Sequence, residues 1–256
     1  MARARSLRCD QALRRPHGGE PCKLCGQARR GAWVPGPERV REIHDREDAH
    51  RTDAAAAGRI LFEGVDIQED LVAHKARVGY VPEEAHVYTY LTGPEYLRLC
   101  GRLRGVPAAA LEQKIDRFLH LFGLDVDYHA TLASFSKGMR QKILLSAALI
   151  HNPTLIILDE PVSGLDVGTA LVLRAVVRAL AADGRIIFYS SHELETVEKL
   201  STRVIILRAG RIVADDSASR LRELMAAPSL EDVFSQLAVR EDIEGMAAQL
   251  VEVARL

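Results

Sequence analysis

The sequence predicts an α/β fold in which a parallel sheet is flanked by helices. Two short apolar runs, Leu155–Leu158 and Ile186–Tyr189, are typical of buried strands, because a strand covered on both faces needs no polar side chains. Polar residues follow each run at once, and parallel strands present ligands at their carboxyl ends. We predict a helix before the first run and another after it.

Helical elements precede the first of these strands. The stretch 91–105 is predicted as helical, and Pro107 begins a further helix through about Phe122, because proline is tolerated at a helix start. Ser136 and Gly138 open another helix, whose apolar residues fall on one side. A serine and a glycine at a helix start leave backbone N–H groups free, which suits a phosphate. A plain N-cap explains the same residues.

Two acids follow the run 155–158. Asp159 falls at the end of the strand, where a carboxylate can hold Mg²⁺ directly or through water, and Glu160 comes one step later. Pro161 ends the strand, and the residues 163–166 predict a turn before the next helix. An ordinary exit from a strand with two solvated acids is the alternative.

Taken in order, these segments resemble the nucleotide-binding domain of an ATP-binding cassette (ABC) transporter. Residues 135–139, FSKGM, resemble the signature usually written LSGGQ, and 155–160 resembles the Walker B strand with its glutamate. Residues 163–166 resemble the D-loop, and His192 the switch histidine; a surface histidine is its alternative. The resemblance covers about 58–216 and is strongest to the ATPase subunits of ABC-2 type exporters. It implies a P-loop NTPase-like parallel sheet with a helical subdomain and an antiparallel β element.

The resemblance also implies roles for individual residues. In such a family member two ATPase subunits enclose ATP, and the P-loop of one faces the signature of the other. Asp159 holds Mg²⁺, Glu160 polarises the attacking water and His192 contacts the γ-phosphate. The residues that contact the nucleotide or link the two sites are Ser136, Lys137, Gly138 and Asp166.

The segment Gly79-Tyr80-Val81-Pro82-Glu83 resembles the family's Q-loop, which touches the metal and contacts the membrane subunit. Glu83 stands where the family pattern has glutamine. A carboxylate can still bind Mg²⁺ or its water, although it adds negative charge beside phosphates. Glu83 is therefore a second candidate metal ligand.

One essential motif is missing. An ABC ATPase needs the P-loop G-x-x-x-x-G-K-[ST] before about Gly58, and the sequence contains no such motif. Residues 1–53 instead hold eleven arginines and one lysine. A disordered basic arm, a transit peptide, a nucleic-acid tail or a zinc knuckle at Cys22–Cys25 are possible explanations. Only Cys9 or His17 could join the cysteine pair. The acids that argue against a transit peptide are Glu38, Glu42, Asp45, Glu47, Asp48 and Asp53.

A further hypothesis is that this segment is translated out of frame. The last two bases of each codon and the first base of the next limit the residue that a shifted frame can encode. Trp33 followed by Val34 requires glycine, and Glu42 followed by Ile43 permits lysine. From codon 27 to codon 53 the shifted frame can be read RPGEVLGFLGPNGSGKSTTVKMLTGLM. This is a strand, a Walker A loop and a helix, and the frame would return in the alanine run 54–57.

This hypothesis divides the chain into three parts. Residues 1–57 are an aberrant, out-of-frame and disordered segment, 58–216 form the ABC ATPase domain with a helical subdomain at about 91–150, and 217–256 are a helical extension. Strands at 203–207 and 211–214 flank a predicted hairpin turn, Ala209-Gly210. The sheet is expected to lack a central strand and its covering helix, and the chain to bind ATP poorly.

The remaining expectations concern partners and location. The net charge of −1 gives no reason to expect nucleic acid as a partner. By resemblance, the chain is a peripheral protein on the cytoplasmic face of the cell membrane, with ATP and Mg²⁺ as cofactors. It would pair with a second ATPase subunit and a membrane-spanning permease subunit. The alternative is a non-catalytic subunit that donates only its signature motif to a partner's ATP site.

Overall fold

The computed structural model describes residues 58–208 and 211–238, the stretches 6–11, 22–27 and 31–34, and residues 251, 253 and 254. In these parts of the chain the strands are β1 (Ser6–Gln11), β2 (Cys22–Gln27), β3 (Gly31–Val34), β4 (Gly58–Phe62), β5 (Val65–Asp66), β6 (Val78–Val81), β7 (Leu155–Asp159), β8 (Ile186–Ser190), β9 (Val204–Arg208) and β10 (Arg211–Asp216). The helices are α1 (Leu71–Lys75), α2 (Gly93–Leu103), α3 (Ala108–Leu121), α4 (Lys137–Leu149), α5 (Val167–Ala182), α6 (Leu194–Leu200), α7 (Ala218–Met225) and α8 (Leu230–Ala238).

The strands form two sheets. A six-stranded sheet has the order β10-β9-β3-β8-β7-β6, in which every neighbouring pair is parallel except β9 and β10. A four-stranded antiparallel sheet has the order β2-β1-β4-β5. The predicted α/β class, with a parallel sheet, helices and an antiparallel element, is confirmed.

Strand β7 is buried as predicted, except at one residue. Leu155, Ile156 and Leu158 are at most 5% exposed, whereas Ile157 is half-buried. Ile157 pairs with Tyr80 on one side and Phe188 on the other, so the three lie on the same face of the sheet. Tyr80 is half-exposed and Phe188 partly so. This face therefore carries less cover than the opposite one.

The described stretches before Gly58 are β-strands. The six-stranded sheet was expected to lack a central strand, but β3 lies between β8 and β9 and is parallel to both. Strands β1 and β2 pair antiparallel with each other, and β1 also pairs with β4. The expected disorder of residues 1–57 remains a prediction. The division of the chain at residue 57 stays a prediction.

Helix α4 joins two apolar cores. Its residues Leu144, Leu145 and Ala148 pack in the main core against the sheet, whereas Ile143 belongs to a second cluster with α2 and α3. The buried members of that second cluster are Leu97, Leu111, Ile115, Leu119, Leu124, Leu132, Phe135, Ile143 and Ile150. A helix buried on two sides fixes the position of its own first turn, where the signature-like residues Lys137 and Gly138 lie.

The predicted helix starts and C-terminal elements are also found. Thr92 and Glu95 form a capping box at the start of α2, and Pro107 is the N-cap of α3. The two C-terminal strands extend one or two residues beyond their predicted ends, and α7 and α8 follow. The predicted turn at Ala209-Gly210 and the residues 239–250 lie outside the described part of the chain.

Gly79 in β6 should not tolerate a side chain. A Cβ atom there would lie 2.4 Å from the backbone oxygen of Ala148 in α4 and 3.0 Å from Cγ of Pro153. Because a backbone oxygen cannot rotate away, we expect Gly79→Ala to lower the free energy of unfolding by about 3 kcal/mol. Chemical denaturation measures this change.

Gly184→Ala is the matched control for this experiment. Gly184 has a φ of +89° but nothing within 4 Å of a Cβ atom, so it tests backbone strain without a clash. We expect a loss of about 1 kcal/mol there. Equal losses at the two glycines would contradict the close packing of β6 on α4.

Candidate nucleotide and metal site

The two predicted acids lie at the carboxyl edge of the parallel sheet. Asp159 is the last residue of β7 and pairs with Ser190, the last residue of β8. Glu160 then turns the chain out of the sheet with a φ of +40°, a region that non-glycine residues rarely occupy. Its N–H group is bound by Ser190, through both the carbonyl oxygen and the hydroxyl oxygen at 3.2 Å. The neighbouring strand therefore fixes where the two carboxylates point.

Asp159 has two hydroxyl neighbours. The Ser190 hydroxyl donates to its Oδ1. Tyr80 in β6 is the second neighbour. The pKa of its phenol is raised above the ordinary value, mainly by burial and then by the charge of Asp159 and a hydrogen bond to that residue. The charge of Glu83 contributes in the same direction. Glu83, which is exposed, therefore lies near the same phenol as Asp159.

Glu160 is joined to His192. Its Oε1 accepts the backbone N–H of His192 at 2.7 Å, and its Oε2 lies 2.9 Å from the imidazole Nδ1. The Glu160 side chain is 11% exposed, whereas that of His192 is 72% exposed. The Glu160 carboxylate is thus largely buried and fixed by His192, while the imidazole is exposed and accessible to a ligand.

This arrangement fits Mg²⁺ only together with a ligand that supplies more oxygens. No cluster of three or more histidine, cysteine or acidic side chains that could hold a metal occurs among the described residues. Mg²⁺ is commonly held by one or two carboxylates together with phosphate oxygens and water. Asp159 and Glu83 can provide the carboxylates. The sequence contains no P-loop to bind the phosphates of ATP, and poor ATP binding by the chain as it stands remains a prediction.

The signature residues lie at the start of α4. Ser136 is the N-cap, and its hydroxyl accepts the N–H of Met139 at 3.2 Å. Arg140 supports this turn from below by donating to the carbonyl oxygen of Phe135 at 2.7 Å. Lys137 and Gly138 follow in the first turn, where backbone N–H groups have no acceptor within the helix. Such a turn can bind an anion.

Asp166 lies against this turn. It is the N-cap of α5 and accepts hydrogen bonds from Thr169, at 2.7 Å from the hydroxyl and 2.9 Å from the backbone N. The hydroxyl first, and then the backbone N–H, lower the pKa of the Asp166 carboxyl. A Cβ atom on Gly138 would lie 3.5 Å from Oδ2 of Asp166 and 3.4 Å from Oγ1 of Thr169. Nearby, a Cβ on Gly164 would come within 2.7 Å of the Lys137 ammonium nitrogen. The two motifs therefore pack together as one unit.

The comparisons with known proteins agree on one family. Residues 49–163 match the family model described as ABC transporter. The ABC transporter ATP-binding protein NatA of Bacillus subtilis is 31% identical over 184 residues, which are 72% of this chain and 75% of NatA. The chain belongs to the ABC transporter ATP-binding proteins.

Further ABC relatives match over a similar part of this chain. An uncharacterized ABC transporter ATP-binding protein of Nostoc is 39% identical over 69% of the chain, and the daunorubicin resistance ATP-binding protein DrrA3 of Streptomyces coeruleorubidus is 32% identical over 65%. The match spans 52% of each of these two proteins. A solved ATP binding subunit of an ABC transporter shares the fold, with a TM-score of 0.76 at 24% identity over 91% of this chain and 98% of that one.

Two residues of this ABC protein's site were not assigned a role from the sequence. Ser190 follows the predicted strand Ile186–Tyr189 and has no role in the sequence-based predictions, and Tyr80 belongs there only to the Q-loop segment. Both residues lie on strands next to β7 and contact Asp159 from there. The register that brings Ser190 beside Asp159 cannot be predicted from one sequence. The signal available in the sequence was a serine directly after one apolar run and an acid directly after the other.

Within the described residues, no helix is long and apolar enough to cross a membrane.

Proposed function

We propose that this chain is the ATP-binding and ATP-hydrolysing subunit of an export-type ABC transporter, and that a shift of reading frame has removed its phosphate-binding loop. The family membership supports the first part. The start of the family match at residue 49 supports the second, because the match begins after most of the segment that the shifted frame would restore.

The position of β3 is the observation that carries the proposal. In the shifted frame the apolar strand before the loop occupies codons 31–35, and β3 occupies Gly31–Val34. Trp33 pairs with Ser190, which in turn pairs with Asp159, so β3 ends at the edge of the sheet where the acids lie. A loop encoded by codons 36–43 would start at this edge. Its backbone N–H groups and lysine would then stand beside Asp159.

Metal binding, activation of water and contact with the phosphates are assigned to different residues of the site. In a chain with a restored loop, Asp159 and Glu83 would hold Mg²⁺, and the ion would neutralise charge on the phosphates. Glu160 orients and polarises the attacking water, and the exposed imidazole of His192 reaches the terminal phosphate. The first turn of α4 offers N–H groups to the nucleotide bound by a second subunit.

The same proposal covers partners and location. Two copies, or this chain and a related ATPase subunit, enclose the nucleotide between the P-loop of one and the signature turn of the other. Asp166 packs on that turn and links the two sites. A membrane-spanning permease subunit uses the hydrolysis, and it holds the ATPase pair at the cytoplasmic face of the membrane.

The nucleotide sequence of codons 20–60 tests the frameshift directly. We expect its shifted frame to encode Gly-Lys-Ser or Gly-Lys-Thr near codon 42, and to rejoin the present frame within the alanine run 54–57. Any other residues near codon 42 would show that the segment is an arginine-rich sequence in its own right.

A second candidate function follows if the present frame is the true one. The signature turn and Asp166 form a complete unit among the described residues, independent of any P-loop. The chain would then be a non-catalytic subunit that presents this unit to a partner's ATP site. It would have to remain folded and to raise the ATPase rate of that partner.

A further inference from the structure

Ser190 lies between the two acids of the site and is itself buried, at 4% exposure. Its hydroxyl donates to Oδ1 of Asp159 and accepts the N–H of Glu160 at 3.2 Å. The carbonyl oxygen of Leu158 lies at 3.5 Å, at the limit of hydrogen bonding. One buried hydroxyl thus contacts both of the neighbouring residues that carry the proposed chemistry.

The contact with Asp159 fixes the orientation of its carboxylate. Because Oδ1 accepts a hydrogen bond from the Ser190 hydroxyl, the plane of the Asp159 carboxylate is held on the side of β8. The Tyr80 phenol of β6 approaches the same carboxylate. Mg²⁺ requires near-octahedral geometry, so a carboxylate that rotates freely binds it less well. Hydrogen bonds to a ligand from outside the coordination shell commonly set metal affinity in this way.

The contact with Glu160 is supported twice. The Glu160 N–H is bound by the Ser190 carbonyl oxygen as well as by the hydroxyl, both at 3.2 Å. Loss of the hydroxyl leaves the carbonyl in place, so the strained turn at Glu160 keeps one of its two acceptors. The Asp159 carboxylate would keep its Tyr80 neighbour in β6 but lose its hydroxyl donor from β8. Removing the hydroxyl should therefore affect the metal more than the attacking water.

We propose that Ser190 is a positioning residue that orients Asp159 for Mg²⁺. This assignment rests on the proposed function, because the metal binds with the nucleotide. It predicts a specific kinetic signature. Ser190→Ala should raise the Mg²⁺ concentration needed for half-maximal ATPase activity by about tenfold, while the rate at saturating Mg²⁺ changes much less.

The experiment uses the full-length chain with its frame restored. Mn²⁺ binding in the presence of ATP, followed by electron paramagnetic resonance, reports metal affinity without turnover, and ATPase rates are measured across Mg²⁺ concentrations. Ser190→Thr keeps the hydroxyl and should restore the affinity. Ser146→Ala is the matched control, because Ser146 is also buried, at 1%, and its hydroxyl bonds only the backbone oxygen of Lys142.

The outcomes distinguish the positioning role of Ser190 from the proposed function of the chain. Weaker Mn²⁺ binding in Ser190→Ala, with recovery in Ser190→Thr and no change in Ser146→Ala, supports the positioning role. If Ser190→Ala binds Mn²⁺ as tightly as Ser146→Ala, the positioning role is wrong and the proposed function stands. A restored parent chain that binds no Mn²⁺ with ATP overturns the proposed function and this assignment together.

Discussion

In a chain with a restored frame, Glu160→Gln is expected to lower the rate of ATP hydrolysis by roughly 10³-fold while ATP binding is retained. Both oxygens of the Glu160 carboxylate contact His192. Oε1 accepts the backbone N–H at 2.7 Å, and Oε2 lies 2.9 Å from the ring Nδ1. Glutamine keeps an oxygen for the first contact, so the geometry should survive. It loses the negative charge that polarises water.

The measurement pairs phosphate release with equilibrium binding of a fluorescent ATP analogue. Glu195→Gln is the matched control, because Glu195 is an exposed acid on α6 that pairs with Lys199. It should leave both quantities unchanged. A Glu160→Gln protein that hydrolyses ATP at the parent rate would show that another group activates the water. Loss of binding instead would place Glu160 in nucleotide recognition.

The elements around the site could be predicted because their signals are local. Strand β7 was predicted from four adjacent apolar residues, and the start of α3 from Pro107. Both signals act within a few residues of the element that they define. The order of strands in the sheet has no such local signal, because it depends on contacts between residues far apart in sequence.

The site shows the same limit more sharply. Motif order predicts roles for Asp159, Glu160 and His192, but it does not predict that His192 contacts Glu160 through its backbone N–H as well as its ring. That contact depends on the positive φ of Glu160 and on the register of β7 with β8. The unit formed by Asp166 and the signature turn is likewise a tertiary contact. Sequence motifs predict which residues gather at a site, and packing decides which atoms meet.

Restoring the reading frame of codons 27–53 is expected to change ATP binding by more than 100-fold, from no saturable binding to a dissociation constant in the micromolar range. The physical reason is the phosphate cradle, since consecutive N–H groups and a lysine are the principal attraction for the phosphates. Isothermal titration of the present and the restored chains with Mg²⁺ and ATP measures the change.

Stability provides an independent measure of the same restoration. ATP at about 100 times its dissociation constant should stabilise the restored chain by about 2.7 kcal/mol and leave the present chain unaffected. The restored helix should also cover the sheet face that carries Tyr80, Ile157 and Phe188, which is only partly buried.

Replacement of the restored loop lysine at codon 42 by alanine is the control that separates these two effects. This variant should keep the added helix and its stability without ATP, but lose most of the stabilisation by ATP. If the restored chain and this variant respond equally to ATP, the loop is not the phosphate site. If neither binds ATP while the present chain stimulates a partner's ATPase, the non-catalytic function is the correct one, because only the signature turn at Ser136 and Gly138 is then in use.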